Sequence, residues 1–172
     1  MTICPSCGTE NIEGVDECDE CGQSLADMHL DGPLLQVERS LLTDRVGLLG
    51  PKTPITVAAD TPVQKVLRMM VDRSIGCLIV VRNDEPVGIF SERDALFELN
   101  VDAKELGDQP VGKYMTSNPQ TLQESAKIAF AVHRMDLGGY RHIPIVGENG
   151  HLTGIISVRD ILRYLASKLQ AA

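Results

Sequence analysis

The chain has 172 residues, 43% of them hydrophobic but only 3% aromatic and none tryptophan, which suits an aliphatic core in one ordinary domain or two small ones. Its formal net charge is −8 and no run of 18 apolar residues occurs, which argues against a membrane span. The opening MTICPSCGTE lacks the charged and apolar regions of a secretory signal, so a cytoplasmic protein is expected.

The charge is uneven along the chain. No Lys or Arg precedes Arg39, whereas residues 1–31 hold eight acids: Glu10, Glu13, Asp16, Glu17, Asp19, Glu20, Asp27 and Asp31. The remainder balances 16 acids against 16 bases. An acidic N-terminal piece repels phosphate backbones, so nucleic-acid binding is not expected.

Residues 1–25 contain Cys4-Pro-Ser-Cys7 and, ten residues on, Cys18-Asp-Glu-Cys21. Two such knuckles present four thiolates, the number that fills a tetrahedral zinc shell. Gly8 and Gly22 follow the knuckles, and glycine tolerates the positive φ that turns backbone N–H groups toward the sulfurs. Disulfides and redox thiols are the alternatives. A reducing compartment disfavours the first, and a redox CxxC needs a βαβ context that is missing. A segment of ~25 residues buries too little to fold alone, so a metal here is expected to be structural. Four thiolates would leave no coordination position for a substrate. His29 reads as a surface or linker residue.

Residues 26–45 read as a connector, with LLQVERSLLTDRV (34–46) a short amphipathic helix. From there the chain repeats. At an offset of 65, Val46-Gly47 matches Val111-Gly112, Pro54 matches Pro119, Thr56 matches Thr121 and Met70 matches Met135. At 66, GIFSERDAL (88–96) matches GIISVRDIL (154–162). The copies span 46–108 and 109–172. Each predicts an entry segment (PITV; PQTL) and a helix, at roughly 62–72 and 124–136. Two strands follow, CLIVV and PVGIF in the first copy, HIPIV and LTGII in the second. Asn83-Asp84 and Glu148-Asn149-Gly150 read as hairpin turns, and a closing helix begins at each Ser-x-x-Asp. Cys77 reads as a buried strand residue. The order β-α-β-β-α, twice over, predicts an α+β fold with two pseudo-symmetric halves.

A lone Ser-x-x-Asp before an apolar helix is close to a capping box, worth about 1 kcal/mol. Two features point further. Both copies use Asp where capping boxes prefer Glu or Gln. Both also place a helix N-terminus directly after a strand, where a carboxylate can accept hydrogen bonds from paired hydroxyls such as a ribose diol. The two roles are compatible.

The segments PITV-AADTPVQKVLRMM, GIFSERD, VGKYMTSNP, YRHIPIV and GIISVRD resemble a tandem pair of CBS domains (a Bateman module) over about residues 46–170. The cysteine cluster separately resembles a zinc ribbon appended to such a module. The first resemblance implies that Asp94 with Ser91, and Asp160 with Ser157, hold the ribose and phosphate of an adenosine ligand. It places adenine against Thr53, Pro54, Ile55 and Ile75 in one copy and Asn118, Pro119, Gln120 and Tyr140 in the other. It further implies that Arg141 and His142 reach phosphate. The first copy has Gly76-Cys77 there, so unequal sites are expected.

Gly107-Asp-Gln-Pro-Val-Gly112-Lys113-Tyr114 has P-loop spacing, but Tyr replaces the magnesium-binding Ser or Thr, and the repeat explains it as the second entry. No Ser-His-Asp elbow, HExxH or dinucleotide fingerprint occurs. CBS pairs also lie inside IMP dehydrogenase, but its barrel would need roughly another 250 residues, so no enzyme is expected. The expectation is a regulatory sensor of AMP, ADP or ATP with structural Zn2+, a homodimer signalling to a protein partner. The alternative is a ligand-free dimerisation scaffold.

Overall fold

The computed structural model describes residues 2–4, 7–12, 15–23, 25, 36–99 and 105–170. Half of the connector, residues 26–35 including His29, lies outside the described residues. At the N-terminus, β1 (Thr2–Ile3) and β2 (Glu10–Asn11) pair antiparallel and flank the first cysteine knuckle. The helix expected in the connector is α1, Gln36–Thr43, followed by a 3-10 turn at Val46–Leu49.

The first copy contributes β3 (Thr56–Val57), α2 (Val63–Asp72), β4 (Cys77–Arg82), β5 (Glu85–Ser91) and the single turn α3 (Glu92–Asp94). Strand β3 runs parallel to β4, and β4 pairs antiparallel with β5. Asn83 and Asp84 take φ of 51° and 64°, the left-handed pair that a tight two-residue hairpin requires. Because strand side chains alternate, β4 serves two cores at once. Leu78 and Val80 pack with Val63, Val66, Met70 and Phe90 beneath α2. Cys77 and Ile79 face the other way, with Ile89, against Leu152 and Ile155 of the second copy.

The second copy contributes β6 (Thr116–Ser117), α4 (Ile128–Gly138), β7 (His142–Val146), β8 (Leu152–Ser157) and α5 (Val158–Gln170). Leu122 bridges Ile145 in parallel, the counterpart of β3 on β4. Both β-hairpins shift register at the same place, between Val80 and Val81 and between Ile145 and Val146.

Two elements differ from the sequence reading. Helix α4 starts at Ile128 rather than near 124, because 124–128 is engaged by the preceding connector: Val46 N–H donates to the Ala126 carbonyl at 2.8 Å, and Ile128 N–H to that of Asp44 at 3.0 Å. The closing helix of the first copy loosens after one turn into a π turn, Ala95–Leu99, which buries Leu99.

The entry segments cross between the halves. Thr116 and Ser117 of the second entry add β6 to the edge of β5, opposite Ile89 and Gly88, giving a sheet ordered β3-β4-β5-β6. Reciprocally, Lys52 of the first entry exchanges two backbone hydrogen bonds with Ile155 of β8, at 3.0 and 2.9 Å. Val46 and Leu49 likewise sit in the core of the second half with Leu122, Ile143 and Ile156. Tyr164 and Lys168 of α5 hold Asp44 at 2.8 and 2.9 Å.

Close crossing explains the strand glycines. A Cβ on Gly154 would stand 2.7 Å from the Pro51 Cβ, and one on Gly88 would stand 2.1 Å from the Met115 sulfur. Gly112, in the segment with P-loop spacing, accommodates a crossing too: its N–H donates to the Ala59 carbonyl at 2.9 Å. Among the described residues no helix is long and apolar enough to cross a membrane.

Candidate functional site

The four cysteines converge. Their sulfurs all lie within 4.8 Å of one another, with Cys4–Cys21 and Cys7–Cys18 each at 3.6 Å. Metal–sulfur bonds of about 2.3 Å in a tetrahedron require sulfurs about 3.8 Å apart, whereas a disulfide requires about 2.05 Å. The donor set therefore fits a tetrathiolate metal. Gly8 and Gly22 adopt φ of 79° and 66°, as the knuckle pattern predicts, with open space where a Cβ would go. Gly8 N–H donates to the Cys4 carbonyl and Gly22 N–H to that of Cys18, both at 2.8 Å. Burial raises the Cys18 thiol, but backbone N–H groups of Cys21 and Glu20 and the thiols of Cys7 and Cys4 outweigh it, bringing the pKa from 9.0 to about 6. Asn11, buried, ties the knuckles together: its amide donates to the Thr9 carbonyl and its oxygen accepts from Asp19 N–H at 3.0 Å. The cluster rests on α4, where Arg134 Nε donates to Gln23 Oε1 at 3.3 Å and Arg134 Nη1 donates to the Thr121 carbonyl.

The two Ser-x-x-Asp corners form identical rings. Asp94 Oδ2 accepts from Ser91 N–H at 2.7 Å and from Ser91 Oγ at 2.6 Å. Asp160 Oδ2 accepts from Ser157 N–H and Oγ at the same distances. At the first corner the Ser91 hydroxyl also accepts from Asp94 N–H at 3.4 Å, completing a capping box. The shorter Asp therefore caps as Glu would. In each ring the second carboxylate oxygen, Oδ1, points away from the cap. At Asp94 it accepts from Thr116 Oγ at 2.9 Å. At Asp160 it meets Arg163 Nη1 at 3.0 Å and Lys52 Nζ at 3.8 Å. Burial raises the Asp160 carboxyl, but the Ser157 hydroxyl and N–H, Arg163 and Lys52 outweigh it and hold it below the ordinary value.

Two clefts lie along the seam. One, of about 410 Å³, is lined by Thr53, Pro54 and Thr56 of the first entry, Asp84, and His151 and Leu152 of the second copy. The other, of about 400 Å³, is lined by Asn118, Pro119 and Thr121 of the second entry, Gly150, and Glu85 and Pro86 of the first copy. Each cleft is built from both halves, and pseudo-symmetry relates them. Neither lining includes the corner Ser and Asp residues, Ile75 or Tyr140. The entry segment joins cleft to corner instead. Lys52 reaches Asp160, and Pro54, two residues on, lines the cleft; Thr116 reaches Asp94, and Asn118 lines the other. Two extended residues span about 7 Å. Ile75 packs at the edge of the first core, and the Tyr140 ring lies over Gly138.

A family model for the CBS domain matches residues 51–101 and 111–167, which are the two halves just described. The chain belongs to the CBS-domain family. A 17.7 kDa protein of Acidianus ambivalens is 34% identical over 127 residues, 73% of this chain and 70% of that one. A CBS domain protein of Pyrobaculum aerophilum, solved in complex with AMP, superposes with a TM-score of 0.63 at 25% identity, covering 74% of this chain and 99% of that one. An inosine-5'-monophosphate dehydrogenase of Thermoplasma acidophilum is 29% identical over 107 residues, but these are 21% of its length, so the chain spans about a fifth of that enzyme.

Within this CBS pair, His142 stands where the halves meet. His142 pairs with Ser157 across β7 and β8, and its ring lies 3.2 Å from where a Gly76 Cβ would be. Burial pushes the His142 pKa down; Glu92 and Asp160 oppose this, while Arg141 and Arg159 reinforce it. The absence of a side chain at Gly76 thus makes room for His142. Arg141 is exposed, and Arg93 covers the Phe97 ring at 5.8 Å. Cys77 is buried, and burial together with Glu92 and Asp94 pushes its thiol up to about 12.

Sequence reasoning passed over Lys52, Arg163, Thr116 and His151. The repeat offset of 65 aligns Lys52 with Ser117, whereas strand register sets Lys52 in the place of Thr116. The second entry holds one more residue there, and Asn118, at φ 50°, absorbs it. The useful signal was the pair of prolines, which fixes where each entry turns but not which side chain precedes the turn.

Proposed function

We propose that this CBS pair is a regulatory sensor that binds an adenosine-containing ligand, AMP, ADP or ATP, in the clefts between its halves. The observation that carries the reading is the repeated corner. Each corner holds an Asp with one oxygen fixed by its own helix cap and the other aimed outward, next to an entry segment that continues into a cleft. Such an oxygen can accept from ribose hydroxyls without dismantling the helix start. The AMP complex of the Pyrobaculum relative supports the ligand class. Asp160 with Ser157, and Asp94 with Ser91, take the ribose; Pro54 and Pro119 flank the base; Arg141 and His142 serve phosphate. The role is binding rather than catalysis.

In this reading the four cysteines hold zinc, and the zinc supplies only folding energy, since four thiolates complete its shell. Ligand would favour one packing of the halves by binding it more tightly than the other, and so pass a state to a protein partner. Exposed apolar side chains on the helical side, Val71, Leu96, Phe97, Leu137 and Leu162, support a homodimer.

A ligand-free scaffold is the second reading, favoured by one observation: both Asp residues already satisfy their helix caps. Calorimetric titration with AMP, ADP, ATP and S-adenosylmethionine separates the two. Binding below millimolar that Asp160→Ala weakens supports the sensor; no binding below millimolar supports the scaffold. Metal analysis should find one zinc per chain, lost in Cys4→Ser.

A further inference from the structure

The two corners share the hydrogen bonds from Ser N–H and Oγ to Asp Oδ2 and differ in what reaches the outward carboxylate oxygen. At the second corner two cations arrive, Arg163 from one turn along α5 and Lys52 from the first half. Their side chains are each 65% exposed, while that of Asp160 is 3% exposed. Each cation therefore stands between a buried carboxylate and open solvent, with donors to spare: three on an ammonium, five on a guanidinium. At the first corner Thr116 takes the place of Lys52, and Phe97 takes that of Arg163 at the offset of 66. Among the described residues no Lys or Arg makes an ion pair with Asp94. The flanking charges do not follow that division: Glu92 acts on His142 together with Arg141 and Arg159, and Arg93, the counterpart of Arg159, lies over Phe97 at the first corner.

We propose that Lys52, backed by Arg163, is the specificity residue that reserves the second corner for phosphate-bearing adenosine ligands, while the first corner takes adenosine compounds without a phosphate. This inference rests on the adenosine-binding reading above and adds which corner takes which ligand. Before binding, Asp160 holds both cations over the corner. Ribose hydroxyls then donate to Asp160 Oδ1, and the cations turn their free donors to the phosphate. A charge-assisted contact of this kind is shorter and stronger than a neutral one, and Thr116 and Phe97 have no equivalent. The specificity residue comes from the other half, so the choice of ligand depends on the crossing entry segment.

The test is calorimetry on the full chain with AMP and adenosine as the two probes, on wild type, Lys52→Thr and Thr116→Lys. The Lys52 backbone bonds to Ile155 survive the first substitution, so the fold is retained, and unchanged circular dichroism checks this. We expect Lys52→Thr to weaken AMP about tenfold, leaving adenosine within twofold. Thr116→Lys should add an AMP site that wild type lacks. An equal loss of AMP and adenosine in Lys52→Thr overturns the inference, because Lys52 would then act only through the corner's structure. Unchanged AMP affinity overturns it as well. If wild type binds neither probe, the adenosine-binding reading itself falls, and this inference falls with it.

Discussion

Ser91–Asp94 and Ser157–Asp160 are the same corner built twice, and comparing them separates what a repeat preserves from what it lets diverge. Both rings use the same donors at 2.7 and 2.6 Å. Every atom of the ring comes from four consecutive residues, so copying the segment copies the geometry. The outward oxygen meets a hydroxyl in one corner and two cations in the other, and one member of each set crosses from the opposite half. Local chemistry is duplicated with the chain. Chemistry assembled across the seam is not, because each contact depends on two segments that change independently.

The crossing glycines offer the largest test. Gly154→Ala drives a methyl into the Pro51 ring, which cannot rotate away, whereas Gly88→Ala meets the flexible Met115 side chain. We expect Gly154→Ala to cost about 2–3 kcal/mol and Gly88→Ala about 1 kcal/mol in urea unfolding. Equal costs would mean that the crossing is not what these glycines serve.

The corner aspartates come next. Asp160 is 4% exposed and Asp94 is only partly buried, so Asp160→Ala should cost about 2 kcal/mol and Asp94→Ala about 1 kcal/mol. The Asp160 carboxyl lies below its ordinary 3.8, so its stabilisation is present above that pH and is lost as pH falls through the depressed value. Acid titration of stability should therefore be shallower below pH 3.8 in Asp160→Ala than in wild type. Coincident curves would remove the linkage.

The smallest effect concerns His142, which has Gly76 opposite it and no basic counterpart in the first half. Its pKa lies below 6.5, so the folded state binds fewer protons than the unfolded chain as pH drops past that value. Stability is complete above pH 6.5 and declines below it, through desolvation of the imidazolium. His142→Asn should abolish that part of the decline; an unchanged profile would place the buried ring in water.

What could be read from the sequence follows the same local-versus-distant division. Strands β4, β5, β7 and β8 were legible as apolar runs closed by Asn83-Asp84 and Gly150, because hairpins are short-range and their turn residues carry a steric signature. The cysteine centre was legible from spacing alone, since the CxxC interval and the following Gly8 and Gly22 define each knuckle. The start of α4 was misplaced because Ala126 and Ile128 pair with Val46 and Asp44, some eighty positions earlier, and no periodicity records such a pairing. Lys52 escaped notice for the same reason. Its role is set by a strand register with Ile155, and the one-residue difference at Asn118 hid it from alignment.

The exchange of entry segments has a further consequence, in how the chain reaches its structure. Each half needs a strand partner that lies far away in sequence: β5 needs Thr116, and β8 needs Lys52. Neither sheet edge can close until both halves have taken shape, so the search is dominated by distant contacts and should be slow and all-or-none, not stepwise by repeat. An isolated first half would present β5 as an unpaired edge, ready to recruit another chain. Two copies of one half could each lend the other its entry. The tandem chain is, in that sense, a dimer of repeats with its association written into one covalent strand.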